Sequence, residues 1–446
     1  MKQNNLILDY NEKPAKKSQW FFLSFQHVFA MFSATVLVPL LTGLPISTAL
    51  FASGVGTLIY ILCTKGKVPI YLGSSFAYIS YIQTVLASTV LTGNPSYGPA
   101  LTGLVAVGLI YVIVALVIKF VGVKWIHKLL PPVVIGPMIM VIGLGLAGSA
   151  VGNTGLVVGG DWRSMVVAVL TVIIVGIIAI RGKGFLKIIP FLIGIIAGYI
   201  IALALNWIGD TRLIDFTELG NVIKDPKQWF ALPRFIFLGW KDAELGAGIS
   251  MAKVSFAAVI SVIPLSFVTI SEHIGDHEVL GSITGKNYLE EPGLHRTLMG
   301  DGIATAFAGL IGGPANTSYG ENTSVVGMTK IGSVWVTGGA AVIAILLSFC
   351  NVFTTFIATI PNAVMGGVCL ILYGFIASNG LKVMFDKKVD LTKTRNIVII
   401  SVMLVIGLGG AAIKITELSS LTGMALSMIF GILLNLILPK EKEENE

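Results

Sequence analysis

No acidic residue occurs between Glu12 and Asp161, a stretch long enough to cross a membrane several times. Apolar residues make up 55% of the chain and charged residues 12%, against roughly 25% charged residues in an ordinary soluble domain. Because a charged side chain is costly inside a bilayer, long uncharged apolar runs are typical of membrane-spanning helices. The composition therefore predicts an all-α polytopic protein in the lipid bilayer. The net charge of +7 comes from short basic clusters between the apolar runs, so it does not indicate nucleic-acid binding.

The apolar runs form two sets on either side of a long loop of mixed charge, residues 209–253. A spanning helix needs about 20 apolar residues, and on this measure we expect about fourteen spans, seven in each half. The uninterrupted runs are residues 20–43, 46–64, 101–119, 132–150, 165–180 and 188–207, then 254–275, 297–312, 332–349, 360–377, 396–413 and 421–438.

Two further apolar segments, residues 68–86 and 313–329, are interrupted near their starts by proline, glycine and polar residues. Irregular backbone survives at membrane depth only where protein or a water-filled cavity surrounds it. Such broken spans are the best sequence indicator of a transporter's substrate site. We therefore expect an extended stretch followed by a half-helix in each segment.

The halves carry the marks of an inverted repeat. Seven spans per half, an odd number, force the halves into opposite orientations. The broken segment comes third in each half, and Pro-x-x-Val-x-Gly begins at both Pro131 and Pro361. In the first span of each half, Gln26-His27 corresponds to Glu272-His273. Basic residues collect in alternate connections, which predicts that both termini are cytoplasmic.

Two carboxylates come at the end of an otherwise apolar span. Glu272 and Asp276 are four residues apart, so they share one face of a helix. An ionised side chain at the centre of a spanning helix costs about 2.5–3.5 kcal/mol. Burial and repulsion between the carboxylates would therefore let the pair hold a proton, as proton coupling requires. The alternative is that the span has already ended, leaving both side chains solvated in a loop.

Glu321 lies about one turn into the expected helical half of the second broken segment. If residues 316–320 are extended, their backbone N–H groups have no helical partner and can donate to a ligand carbonyl, aided by the helix dipole. The alternative is an ordinary helix cap formed by Asn316 or Ser318, with Glu321 merely complementing the dipole.

The equivalent break in the first half contains Ser74, Ser75 and Phe76. The two serines permit close backbone approach, and Phe76 offers a ring face, although core packing alone would explain Phe76. His27 is an intramembrane histidine that either lines the pocket or forms a structural hydrogen bond. Carboxylates and free amides together suit a flat ligand with both N–H and carbonyl groups, such as a pyrimidine-dione ring. An inorganic ion remains an alternative.

At these residues the chain resembles the nucleobase–ascorbate transporter family, in particular its bacterial uracil permease branch. The family motif Gln/Glu/Pro-Asn-x-Gly-x4-Thr-Arg/Lys is similar to Glu321-Asn322-Thr323-Ser324 followed by Thr329-Lys330. Glu in the first position is typical of the uracil branch. Further similar stretches are residues 67–76, 292–296, 316–322 and 364–374.

The resemblance implies a proton symporter in the bacterial inner membrane, a homodimer, with no cofactor, metal site or catalytic residue. Glu272 and Glu321 would hold the nucleobase, and the backbone amides of Phe76 and Gly320 would bind its carbonyls. Pocket residues would be Tyr319, Ser75, His27, Asn322 and, from the gate, Tyr373. The implied core domain is residues 20–119 and 254–350, the gate domain is 120–208 and 351–438, the outer loop is 209–253, and the cytoplasmic tails are 1–19 and 439–446.

The chain departs from the family pattern at two positions. Ser324 replaces the glycine of the motif, and Asp276 stands where uracil permeases often have histidine. The coupled proton is therefore assigned to Glu272, Asp276 or His273, although His273 would point about 100° away from Glu272 around a helix.

The predicted function is proton-coupled import of a nucleobase, most simply uracil, by alternating access. Alternatives are a xanthine or dual-specificity carrier, an anion channel or exchanger on the same fold, and an intramembrane enzyme. An anion channel would more naturally place Lys or Arg at the broken spans. An enzyme would need a nucleophile–base pair or metal ligands, and His273 and His277 have no evident third partner.

Overall fold

A computed structural model describes residues 6–91, 96–208, 212–236, 256–416 and 419–439 of the 446-residue chain. Its first half contains the helices α1 (Lys17–Thr42), α2 (Ile46–Cys63), α3 (Ile79–Leu91), α4 (Gly98–Val121), α5 (Lys124–Leu129), α6 (Pro132–Gly145), α7 (Ala147–Thr154), α8 (Trp162–Arg181) and α9 (Pro190–Leu205). The second half contains α10 (Thr217–Lys224), α11 (Phe256–Thr284), α12 (Leu294–Ile311), α13 (Gly320–Thr329), α14 (Val334–Ser348), α15 (Asn351–Ala358), α16 (Asn362–Asp386), α17 (Thr394–Leu408) and α18 (Gly423–Ile437). The strands are β1 (Leu72–Ser74), β2 (Asn316–Ser318), β3 (Ala412–Thr416) and β4 (Ser419–Thr422).

Among the described residues, seven helices are long and apolar enough to cross a membrane: α1, α2, α4, α6 continued by α7, α8, α11 and α16. Several other helices are apolar but shorter, including α9, α14, α17 and α18. This confirms the predicted helical, multi-pass membrane protein. Residues 212–236 of the predicted loop 209–253 are described and include α10, whereas only residue 439 of the predicted tail 439–446 is described.

The structure differs from the predicted spans in several places. Helices α11 and α16 each continue nine residues past the predicted ends, to Thr284 instead of 275 and to Asp386 instead of 377. Residues 351–359, expected to be a plain connection, contain the short helix α15. The span expected over 396–413 ends at Leu408, because Gly409 and Gly410 follow it and Gly410 takes a φ of +73°. Left-handed backbone of this kind ends helices, and the chain then forms the antiparallel hairpin β3–β4.

The long helices pack in two sets. The first helix group comprises α1, α2, α4, α11, α12 and α14, and the second comprises α6, α7, α8, α9, α16, α17 and α18. Small residues permit the closest crossings. A β-carbon on Gly108 of α4 would lie 2.4 Å from the carbonyl oxygen of Gly302 on α12. In the second group, a β-carbon on Gly380 of α16 would lie 2.4 Å from the carbonyl oxygen of Gly136 on α6. Small residues serve the same purpose in membrane helix packing generally.

The two helix groups meet at a few places. Helix α1 packs on α9, and α11 packs on α18 and α6. At the ends of α11 and α16, Lys387 Nζ donates to Glu278 Oε2 at 3.1 Å, which joins the groups by an exposed ion pair. The broken segments lie within the first group, where β1 and β2 form a two-stranded antiparallel sheet.

Candidate functional site

The two predicted breaks meet each other. Strands β1 and β2 run antiparallel, and their pairing satisfies backbone groups that would otherwise be unpaired inside the protein. At the ends of the pair, Ser75 N donates to Ala315 O at 2.8 Å and Tyr319 N donates to Tyr71 O at 3.0 Å. Each break is therefore extended, as predicted, and each break supplies the other's partner. The register sets Leu72 opposite Ser318, Gly73 opposite Thr317, and Ser74 opposite Asn316.

Tyr319 locks this crossing in place. Its hydroxyl donates to Ser74 O at 2.8 Å and accepts a longer bond of 3.4 Å from Thr35 Oγ1 on α1. Its ring lies so close to Gly73 that a β-carbon there would be 2.3 Å from ring atoms. Position 73 must therefore be glycine for the ring to cross the strand. The Tyr319 side chain is 3% exposed, so its main contacts are with the crossing itself.

A helix begins directly after each strand. Phe76 opens a 3-10 turn (Phe76–Tyr78) that leads into α3, and Gly320 is the first residue of α13. The preceding residues, Ser75 and Tyr319, are extended. The first N–H groups of a helix have no intrahelical acceptor, and the helix dipole makes this end attractive to negative groups. Both half-helices thus present hydrogen-bond donors beside the same strand crossing.

Helix α11 brings a carboxylate face to this crossing. The helix continues to Thr284, so the alternative that the span ends before Glu272 is wrong. Glu272 is exposed and Asp276 half-buried, although Ser271, His273 and His277 around them are buried. Asp276 Oδ1 lies 3.7 Å from the position that a β-carbon on Gly320 would occupy. The carboxylates therefore face an opening beside the start of α13.

The start of α13 and the start of the helix after the first break are also incompletely buried. Gly320 is exposed there, and Glu321 and Phe76 are half-buried. Glu321 is close enough to Glu272 to interact with it electrostatically. Glu272, Asp276, Glu321, Gly320 and Phe76 therefore form one candidate site at the junction of α11 and the two half-helices.

His273 faces away from this opening. Its Nδ1 lies 2.7 Å from Asp301 Oδ2 on α12, and its Nε2 lies 3.0 Å from Thr297 Oγ1. The hydroxyl of Ser318, in β2, lies 3.4 Å from Asp301. His273 and Asp301 are both fully buried. The histidine therefore links α11 to α12 and to the second break, instead of lining the opening.

Asp301 is a buried acidic residue that was not among the predicted site residues. It is an acidic residue within the run 297–312, which was itself expected to span the membrane, and that position was the available signal. A buried neighbour extends the contacts of His273: His277 Nδ1 lies 2.7 Å from the His273 carbonyl oxygen, and His277 Nε2 lies 2.5 Å from the Tyr60 hydroxyl. These groups form a buried polar cluster behind the carboxylate face.

His27 and Asn322 bond to each other. Asn322 Nδ2 lies 3.1 Å from His27 Nδ1 and donates to His27 O at 3.0 Å, which ties α13 to α1. Both residues are at most 2% exposed. This geometry favours the structural alternative for His27 over a pocket-lining role, and it gives Asn322 the same structural part.

Several buried hydroxyls near the crossing lack oxygen or nitrogen partners, including Thr317 Oγ1 in β2. Within the described part of the chain, Ser75 Oγ makes no hydrogen bond, and the Tyr373 hydroxyl has the Cys369 thiol as its neighbour. Tyr373 lies on α16, in the second helix group, and it belongs to the same apolar cluster as Tyr319, against which Phe76 also packs. Unpaired buried hydroxyls are rare in folded proteins and can bond a ligand or water. Ser75 and Tyr373 therefore stay candidates for the site.

The arrangement has a definite chemical capacity. Carboxylates on α11 and α13 can accept hydrogen bonds from N–H groups of a ligand, and the two helix starts can donate to its carbonyl oxygens. The Phe76 ring can stack on a flat ligand. Among the described residues, no group of three His, Cys, Asp or Glu side chains is arranged to bind a metal ion.

Comparison with known proteins places the chain in a family. A model described as a permease family matches residues 18–416. The chain is 45% identical to the uracil permease of Bacillus caldolyticus over 99% of this chain and 97% of that one. It is 44% identical to the uracil permease of Bacillus subtilis (strain 168) over 100% and 98% of the two chains. Identity to the uracil permease of Escherichia coli (strain K12) is 38%, over 93% and 90%.

The fold is shared with more distant transporters. The transmembrane domain of a cyanobacterium bicarbonate transporter, BicA, matches with a TM-score of 0.65 at 16% identity, covering 96% of this chain and 99% of that one. The structure of SLC26A9 matches with a TM-score of 0.61 at 12% identity, covering 93% and 64%. Both likenesses concern the fold alone. The family match and the full-length relatives establish that the chain belongs to the permease family of nucleobase–ascorbate transporters.

Proposed function

We propose that this chain imports uracil together with a proton by alternating access. The observation that carries the proposal is the carboxylate pair Glu272 and Asp276 facing the exposed start of α13, next to Glu321. Membership of the permease family makes the chain a transporter and not an enzyme. Full-length relatives at 38–45% identity are named uracil permeases, which supports uracil as the substrate.

In this proposal each polar group of the ring has a partner. Glu272 and Glu321 accept hydrogen bonds from the ring N–H groups, and the backbone amides of Phe76 and Gly320 donate to its carbonyls. Phe76 and Tyr319 bound the flat faces, and Tyr373 with Ser75 closes the remaining side. A site that hydrogen-bonds a ligand on several edges discriminates strongly against analogues that lack one of those groups.

The coupled proton resides on the Glu272–Asp276 pair. Two neighbouring carboxylates share a proton readily, because two negative charges side by side repel each other. His273 is a weaker candidate than proposed from the sequence, since its ring is engaged with Asp301 and Thr297. Proton loss to the cytoplasm would leave two adjacent negative charges, whose repulsion would separate the carboxylates and disturb the arrangement that holds the substrate.

Movement between the two helix groups provides alternating access. The first helix group carries both breaks and the carboxylates, so it would act as the core that carries the substrate, and the second would act as the gate. We place the protein in the bacterial inner membrane, as a homodimer with cytoplasmic termini. The basic clusters of the alternate connections support this orientation.

Uptake of labelled uracil into proteoliposomes tests the proposal. An inward proton gradient should drive accumulation, and a protonophore should abolish it. Glu272→Gln and Glu321→Ala should each abolish uptake while the protein still inserts and folds. Glu290→Gln, a change at an exposed residue away from the spans, is the matched control and should transport normally. Normal uptake by either site variant would refute the proposed roles.

Two competing functions have separate tests. Asp276, which stands where uracil permeases often have histidine, favours a purine or dual-specificity carrier. For such a carrier, unlabelled xanthine should compete with labelled uracil. Anion transport is the function named for one distant fold relative, a murine Slc26a9 structure with a TM-score of 0.63 at 12% identity. Flux that persists with a protonophore, and that bicarbonate or chloride inhibits, would favour an anion carrier. The carboxylate-rich site argues against it, because those side chains repel anions.

A further inference from the structure

A large apolar cleft opens between the two helix groups, away from the carboxylates. Its volume is about 530 Å³. One wall comes from residues 25–32 of α1 and from the end of α14, and the other comes from α9 and α15. The cleft thus lies between α1, a helix that contacts the candidate site, and two helices on the other side, α9 and α15. No residue assigned to the candidate site lines it.

Water does not suit this cleft. Every lining side chain is aliphatic or aromatic, and the polar exception, the Tyr199 hydroxyl, already bonds Thr359 Oγ1 at 2.7 Å. A buried water typically needs two to four polar partners, and cavities lined only by apolar groups stay dry. The lining therefore offers water too few hydrogen bonds to hold it in place.

An empty cleft is equally unfavourable. Protein interiors hold few voids larger than a water molecule, because the walls of a void lose their dispersion contacts. The deep walls here are formed by well-buried side chains, including Val28 (3% exposed), Ile195 (6%) and Ile357 (1%). A volume in the range of ligand pockets, about 300–1,000 Å³, therefore calls for an apolar occupant.

The mouth of the cleft shows where that occupant comes from. Its rim consists of exposed apolar side chains: Phe29 (37%), Ile196 (49%), Ile200 (59%) and Phe356 (43%). On a chain that spans a membrane, such a rim at bilayer depth borders hydrocarbon. The lining of α9 runs from Leu192 to Leu203, a rise of about 16 Å at about 1.5 Å per residue. One leaflet of a hydrocarbon core about 30 Å thick measures about 15 Å, so the cleft matches the reach of one lipid chain.

We propose that this cleft binds one acyl chain of a bilayer phospholipid, inserted between the two helix groups. The chain supplies the apolar contacts that the walls lack, and its headgroup stays at the membrane surface. Because the walls belong to different parts of the fold, the bound chain occupies the gap across which those parts approach each other. The inference does not depend on which substrate the protein carries.

Photo-crosslinking in vesicles tests the site. The purified full-length protein is reconstituted in phosphatidylethanolamine and phosphatidylcholine containing a small fraction of phosphatidylethanolamine with a diazirine midway along one acyl chain. After illumination, mass spectrometry maps the labelled peptides. We expect labelling of residues 25–32, 192–203 and 353–360 to saturate as the probe fraction rises. Labelling around Ile173, an equally lipid-accessible position on α8 (48% exposed), should rise in proportion to the probe.

Filling the cleft provides the decisive comparison. Ile195→Trp should reduce labelling of the cleft walls at least fivefold, whereas the matched change Ile173→Trp should leave it unchanged. If Ile195→Trp does not fold, Ile200→Trp at the rim replaces it. Labelling that is uniform over all lipid-facing helices, or that persists in a folded filled variant, would overturn the proposal. So would efficient cross-linking of Ile200→Cys between two copies, because a second copy would then cover the cleft.

Discussion

Asp276 on α11 and Gly320 at the start of α13 face each other across the candidate site, with Asp276 Oδ1 3.7 Å from where a β-carbon on Gly320 would sit. That distance is an ordinary van der Waals contact, so an alanine fits without displacing the backbone. Its methyl group would nevertheless occupy the space beside the N–H group that we assign to the substrate.

Gly320→Ala should therefore fold normally but bind uracil at least tenfold more weakly. Titration calorimetry would measure the dissociation constant, and the melting temperature in detergent would report folding. Gly176→Ala, within α8 and with open space around it, is the control and should leave binding unchanged. Wild-type affinity in Gly320→Ala would mean that the substrate does not approach the start of α13.

Tyr319→Phe tests the lock on the strand crossing. The change removes the bond to Ser74 O and leaves that buried carbonyl without its partner, which typically costs about 1–3 kcal/mol. We expect both a lower melting temperature and weaker uracil binding. Tyr97→Phe removes a similar buried bond, to Thr42 O at 3.1 Å, and should lower the melting temperature alone. If the two variants weakened uracil binding equally, Tyr319 would have no specific role in positioning the strand crossing for the substrate.

Asp301→Ala tests the buried pair behind the carboxylates. Breaking a buried, hydrogen-bonded ionisable pair by removing one partner typically costs about 3–5 kcal/mol. Asp301→Ala should therefore lower the free energy of unfolding by an amount of this order. Because each single variant leaves the other residue of the pair buried without its partner, Asp301→Ala combined with His273→Ala should destabilise less than the sum of the single changes. Strict additivity in the free energies of unfolding would show that the two residues do not act as a unit.

Asp161 gives a pH-dependent prediction outside the spans. It caps α8 by accepting from Arg163 N at 3.0 Å, and the hydrogen bonds from the Arg163 side chain lower the pKa of Asp161 below its ordinary 3.8. Loss of an N-cap typically costs about 0.5–2 kcal/mol, so Asp161→Ala should be less stable than the wild type at pH 7.

The sign of the pH dependence follows from that lowered pKa. The charged carboxylate contributes its full stability above the pKa of the unfolded chain, and the contribution is lost as pH falls through the lower, folded value. The gap in melting temperature between wild type and Asp161→Ala should thus narrow between pH 5 and pH 3. A gap that widens towards pH 3 would contradict the assignment.

The sequence predicted those features that are costly in a membrane. Glu272, Asp276 and the two broken segments stood out because charged side chains and irregular backbone are energetically costly inside a bilayer and usually have a functional role there. The pairing of the breaks could not be predicted, because Leu72 and Ser318 meet only through the packing of distant helices. Asp301 was overlooked although an acidic residue within an expected span was a local signal. Its pairing with His273 could not be predicted, because the two residues come from different helices.

The crossing of β1 and β2 also has a consequence for how this protein is made. Each strand comes from a different half of the chain, and Tyr319 completes the junction only after the polypeptide has been synthesised beyond the start of α13. A ribosome-bound chain that ends before β2 would have inserted its early helices with the first break still unpaired. The backbone groups of the first break therefore gain their strand partners only after the second half of the chain has been synthesised.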